Sequence, residues 1–175
     1  MSQSPTEHNT PHKPAHKPAH NPPHKPPHKP RAKTRDAFRH VVACDTRWRD
    51  NDRYGHLNNA IYYELFDSAI NRLLLENDLL NFASGAHVFL VASSGCDYFS
   101  ELAYPQKLEV GLAITRLGNS SVTYDLGLFK QGADTAAANG FFVHVHVARD
   151  GYRPSPITDK GRAVFENLLV TNSPA

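Results

Sequence analysis

The chain has 175 residues, 40% of them hydrophobic and 21% charged, with a formal net charge of +2. Residues 1–35 carry seven Lys or Arg against one acid (Glu7), a net of +6, and residues 36–175 carry twelve against sixteen, a net of −4. One domain with a basic appendage is expected; the mildly acidic domain excludes a broad nucleic-acid-binding face, and only two cysteines, Cys44 and Cys96, exclude a disulfide scaffold.

From Pro11 to Pro30 the chain reads PHKPAHKPAHNPPHKPPHKP, with His12, His16, His20, His24 and His28 at a period of four. Proline this dense prevents helix and sheet, so residues 1–36 are expected to be a disordered, polyproline-like tail. Its spaced histidines also offer weak transition-metal binding. No apolar run has the length of a membrane span, and no signal-peptide core follows Met1. A cytoplasmic protein that binds neither membrane nor nucleic acid is the expectation. Scarce acids leave a mitochondrial presequence as the alternative, against which the prolines count.

Residues 37–175 form the expected domain. Phe38 to Arg49 alternates, with Val42, Cys44, Thr46 and Trp48 on one face, and predicts a half-buried strand. Both cysteines lie in apolar, strand-like stretches and are expected as buried thiols. From Asn58 or Asn59, a plausible N-cap, to about Asp78 the pattern is helical. Ile61, Leu65, Phe66, Ala69, Ile70, Leu73 and Leu74 make a broad apolar face. His87 to Phe99 predicts a strand, and Lys107 to Leu117 another. Gly118-Asn119 suits a hairpin turn into Val122, Tyr124, Leu126 and Leu128. Ala136 to Arg149 closes the series, with Phe141, Val143, Val145 and Val147 on one face and Phe142, His144 and His146 expected outward. A short amphipathic helix follows from about Thr158 to Leu169. One long helix among antiparallel strands predicts an α+β fold whose sheet wraps the helix. Its open edges predict pairing between subunits.

The densest chemistry lies in the loop Asp50-Asn51-Asp52-Arg53-Tyr54-Gly55-His56-Leu57-Asn58-Asn59, which runs into the long helix. A carboxylate beside a helix N-terminus places a base or nucleophile next to N–H groups that can hold an oxyanion. Asp50 suits a structural role, bonding loop N–H groups. His56 suits either orientation of Asp52 or a buried loop role, and Asn58 either the N-cap or a substrate contact. Tyr62 is expected to pack, its hydroxyl lining the pocket. Glu64 and Asp67 on the helix are rival bases. His144 with His146 lacks a third ligand, and Asp50 with Asp52 lacks a Gly-rich phosphate loop, so no metal site is expected.

The motif D-x-D-x-x-G-H-x-N-N-x-x-Y from Asp50 to Tyr62 resembles the signature of hotdog-fold acyl-CoA thioesterases of the 4-hydroxybenzoyl-CoA thioesterase type. The following F-D-x-A-x-N-R (Phe66 to Arg72) and the segment from Thr115 to Phe129 are also similar to that family. The resemblance spans about Phe38 to Pro156. It implies a hotdog fold and hydrolysis of an acyl-CoA to a carboxylic acid and free CoA. It implies Asp52 as nucleophile or general base and the backbone N–H of Asn59 on the carbonyl oxygen, with no cofactor. It also implies a homodimer or homotetramer with the acyl site at the subunit interface. In the type enzyme, basic residues near the turn between the middle strands contact the CoA phosphates. Here Gly118 and Asn119 stand at those positions, and Arg116 is the nearby basic residue. His56 and Asn58 replace apolar residues of the type enzyme. The rival functions are hydrolysis of acyl groups on an acyl carrier protein and non-catalytic acyl binding.

Overall fold

The computed structural model describes residues 30–170, so most of the expected tail, residues 1–29, lies outside it. The elements are β1 (His40–Asp45), α1 (Asn59–Glu76), β2 (His87–Tyr98), β3 (Lys107–Leu117), β4 (Ser121–Lys130), β5 (Ala138–Ala148) and α2 (Asp159–Asn167). Short 3-10 turns occupy Arg35–Ala37 and Trp48–Asp50. The five strands form one antiparallel sheet in the order β1-β3-β4-β5-β2, with α1 against one face. This is the expected α+β hotdog architecture.

Helix α1 starts where Asn58 accepts the N–H of Ala60 at 3.0 Å, and it ends at Asn77. Its buried side chains are Tyr62, Leu65, Phe66, Ala69, Ile70, Leu73 and Leu74, the i, i+3, i+4 face foreseen in the sequence except that Tyr62 is buried and Ile61 only partly so. They meet Leu108, Val110, Leu112 and Ile114 of β3 and Val122, Tyr124, Leu126 and Leu128 of β4 in one cluster. Burying each large side chain contributes about 2 kcal/mol. Gly140 lets α1 approach the sheet: a Cβ there would stand 2.5 Å from the ring of Phe66.

The opposite face is partly covered by the chain preceding β1. Phe38 lies over Gly111 and Gly127 and meets Phe129 edge-on at 5.6 Å. Lys33 pairs with Asp125, and Arg35 with Glu109. Lys33 to Asp36, which the sequence assigns to the tail, therefore pack on the domain. Beyond this strap, Leu90 and Phe141 are exposed.

Three local expectations are corrected. The first strand stops at Asp45, and Trp48 is exposed in a 3-10 turn rather than facing inward. On β5 it is Phe142, His144 and His146 that are buried and Phe141 that is exposed. The two histidines join an aromatic nest with Tyr124, Phe89 and Phe142, which receives their flat rings. The cysteines are half-buried rather than buried; burial pushes each thiol up to about 11.

Candidate active site

The loop between β1 and α1 is held at both ends. Asp50, completely buried, accepts the backbone N–H of Arg47 at 2.7 Å and its Nε at 3.1 Å. The N–H of Asn58 in turn donates to the carbonyl of Asp50 at 2.9 Å. Leu57 is buried and its N–H donates to Leu102 at 2.6 Å, which anchors the loop to the segment after β2. Asn51 Oδ1 accepts the N–H of Tyr104 at 2.9 Å.

Within this frame Asp52 closes a tight turn. Its Oδ1 accepts the N–H groups of Tyr54 (2.7 Å) and His56 (3.2 Å), and its own N–H donates to the carbonyl of His56 at 2.8 Å. Gly55 has φ of 85°, a conformation that side-chain-bearing residues rarely adopt, so glycine lets the chain reverse here. The second oxygen of Asp52, Oδ2, has no hydrogen-bond partner among the described residues. The carboxylate is thus oriented through one oxygen and open at the other.

Asn58 caps α1, and Asn59 is the first helical residue. The N–H of Asn59 has no acceptor among the described residues, as expected of a first-turn donor. The helix dipole makes it a favourable partner for an oxyanion. Tyr62 is buried, meeting Tyr98 edge-on at 4.9 Å, and the hydroxyl of Tyr98 stands 3.5 Å from the carbonyl of Asn59. Burial pushes both phenols above their usual range, Tyr98 the further, which keeps them as donors. The imidazole of His56 pairs with Glu101 at 3.2 Å rather than with Asp52, which it supports through its backbone N–H. An open depression of about 250 Å3 is lined by His56, Tyr62, Tyr98, Phe99, Ser100 and Glu101.

The structure thus brings His56 and Tyr62 to one depression, ties Asp52 to His56 within the preceding turn, and sets Asn58 and Asn59 at the start of α1. Arg116 is elsewhere: it lies nine residues along β3 from Lys107, whose strand partner Asp45 leads into the loop. At 3.3 Å per residue that is about 30 Å. Tyr98 and Glu101 are site neighbours that local sequence pattern did not reveal. The rival acids are otherwise engaged, Glu64 with Arg47 and Asp67 with Asn71. A larger cavity, about 360 Å3, opens at the far end of α1 beside the first turn of α2, and none of the loop's residues line it. Of the loop's residues only His56 lines the smaller depression, with Tyr62 of α1 beside it. Among the described residues no three His, Cys, Asp or Glu gather as metal ligands, and no helix is long and apolar enough to cross a membrane.

The family described as the thioesterase-like superfamily matches residues 46–165. Among solved structures, the PA5185 protein of Pseudomonas aeruginosa strain PAO1 is 46% identical, with 79% of this chain and 96% of that chain covered and a TM-score of 0.77. A predicted thioesterase from Bacillus stearothermophilus is 25% identical, covering 76% and 98%, with a TM-score of 0.65. A 1,4-dihydroxy-2-naphthoyl-CoA thioesterase from Synechocystis is 16% identical, covering 75% and 96%, with a TM-score of 0.66, a likeness of fold alone. No curated protein matches the chain.

Proposed function

Because the chain belongs to the thioesterase-like superfamily, and is on that ground an enzyme of thioester hydrolysis, we propose that it cleaves an acyl-CoA with Asp52 as general base or nucleophile. The observation that carries this reading is the state of Asp52: one carboxylate oxygen is fixed by two N–H groups, and the other has no hydrogen-bond partner among the described residues, in the loop that leads into α1.

As general base, Asp52 takes a proton from water, and the resulting hydroxide attacks the thioester carbonyl. The negative charge moves to the carbonyl oxygen, where the N–H of Asn59 and the helix dipole stabilise it. Collapse breaks the C–S bond, and the departing thiolate recovers the proton from Asp52. Products are a carboxylic acid and free CoA. As nucleophile, Asp52 instead attacks the carbonyl carbon and expels the thiolate as the C–S bond breaks; water then opens the mixed anhydride, giving the carboxylic acid and the free Asp52 carboxylate, and the proton released goes to the thiolate. In either route His56 acts as a positioning residue through its N–H on Asp52 Oδ1. Asn58 sets the helix start, and Tyr62 walls the depression.

The working assembly is a homodimer or homotetramer. Support comes from β2, an edge strand of twelve residues that pairs on one side with β5 and exposes Leu90, Val91 and Tyr98. Its end at Tyr98 reaches the site, so pairing of two β2 edges would build the acyl pocket between subunits.

The test is hydrolysis of short, medium, long and aromatic acyl-CoAs by the full chain and its Asp52→Asn variant. Loss of kcat by about 100-fold or more with circular dichroism unchanged is expected. Equal rates in the variant would move the base elsewhere. No turnover of any CoA thioester, with turnover of carrier-protein thioesters, would replace the substrate class.

A further inference from the structure

Arg116, the basic residue nearest the β3–β4 turn, stands about 30 Å along β3 from the catalytic loop of the same chain. The loop has its own unused recognition groups. Trp48 is 81% exposed and Tyr54 85%, and the Trp48 ring meets Tyr104 edge-on at 5.9 Å. Tyr104 is tied to the loop through Asn51. Arg49 and Arg53 are exposed, and neither has an ion-pair partner among the described residues. Their neighbours differ: Arg47 is engaged by Asp50 and Glu64, and Asp45 by Lys107. Two free guanidinium groups therefore flank Asp52 in the segment from Trp48 to Arg53, and Tyr104 is joined to the same segment through Trp48 and Asn51. Within the single chain Trp48 has Tyr104 as its aromatic neighbour, and among the described residues Tyr54 has none.

We propose that Trp48, Arg49, Arg53 and Tyr104 dock the nucleotide end of acyl-CoA, with the two arginines on its phosphates and the aromatic pair on its adenine. This rests on the reading of Asp52 as the group that acts on a CoA thioester. Guanidinium forks match phosphate oxygens in pairs, and aromatic faces stack on bases of any identity. The flexible pantetheine arm allows the nucleotide to fold back to this segment while the thioester lies at Asp52 and the acyl group enters the depression. A second copy is the poorer occupant, because a two-fold contact through this patch brings four unpaired guanidinium groups into one interface. Phosphate recognition has thus moved from the β3–β4 turn to the loop that carries the catalytic carboxylate.

Trp48 is the only tryptophan of the chain, so its fluorescence reports on this patch alone. The probe is adenosine bisphosphate carrying 3′ and 5′ phosphates, titrated into the full chain. Saturable quenching is expected, weakened about tenfold by the double substitution Arg49→Gln/Arg53→Gln and weakened also by added salt. In kinetics, the ratio of KM for acyl-CoA to KM for the same acyl group on pantetheine rises about tenfold in the double variant. No quenching in the natural chain, or equal quenching in the variant, overturns the proposal. An unchanged KM ratio with hydrolysis intact also overturns it and leaves the Asp52 reading standing. Quenching without hydrolysis of any thioester supports the patch and defeats the Asp52 reading. Loss confined to carrier-protein substrates overturns the nucleotide assignment in favour of an acidic protein partner.

Discussion

The buried carboxylate of Asp50 takes both the backbone N–H and the Nε of Arg47, while the carbonyl of Asp50 takes the N–H of Asn58. One residue thereby joins the 3-10 turn after β1 to the N-cap of α1, and Asp52 sits in the span it holds. Asp50→Ala removes the acceptor of a charge-assisted bond and leaves the Arg47 N–H unsatisfied. Stability should fall by about 2 kcal/mol, or about 4–8 °C in Tm. Asp50→Asn keeps one acceptor and should cost about half of that. Thermal unfolding of both variants checks the order, and an unchanged Tm in Asp50→Ala would remove the clamp from the account.

His144 is 2% exposed, and neither ring nitrogen has a hydrogen-bond partner in the structure. Burial pushes its imidazole down to about 4. The unfolded chain binds the proton near the ordinary value of about 6.5. Between the two, the unfolded state holds more protons, so stability falls as pH drops. The contribution is fully present above about pH 6.5 and is lost on the way to about pH 4, some 3 kcal/mol in all. His144→Phe should lose no bond at neutral pH and should flatten this acid dependence. Urea midpoints at neutral pH and near pH 4.5 measure it; an equally steep decline in the variant would assign the acid lability to other groups.

These two residues also mark what the sequence could and could not convey. Alternation on β4 named Val122, Tyr124, Leu126 and Leu128 as one buried face, and they are completely buried. On β5 the same rule failed, because both faces alternate and hydropathy favoured the valines. The histidines go inward because Tyr124, Phe89 and Phe142 surround them, and two of those partners, Tyr124 on β4 and Phe89 on β2, come from other strands. Parity continued through Thr46 to Trp48, but Asp50 captures Arg47 and bends the chain before the strand can continue. The candidate site was legible where it is contiguous, from Asp50 to Tyr62. Tyr98 reaches Asn59 across 39 positions, a contact that no local pattern encodes.

The helix carries two acids that could replace Asp52, and their contacts separate them from it. Glu64 is paired with Arg47, and Asp67 with the side chain of Asn71, four residues on. Burial raises the Asp67 carboxyl despite that bond. Glu64→Gln and Asp67→Asn should each hold kcat within about threefold of the natural chain, since neither removes a group that contacts the Asp52 turn. Steady-state rates on the best acyl-CoA test this. A fall of about 100-fold in either variant would transfer the general base to α1.

Strand β2 offers the last prediction, because it is both long and unpaired on its outer side among the described residues. Leu90 and Val91 are exposed there, the second at an irregularity in the pairing with β5. A bare apolar edge of this kind associates, and lysine is the residue that natural sheets use to prevent it. Leu90→Lys/Val91→Lys should leave the monomer folded, because both side chains are already exposed at the sheet edge. It should shift the chain from dimer or tetramer to monomer in sedimentation velocity. Hydrolysis should fall in step, since Tyr98 carries the same strand to the N-terminus of α1 and the acyl pocket would lose its second wall. A variant that dissociates with full activity would confine the site to one chain. A natural chain that sediments as a monomer would reject the paired edge itself.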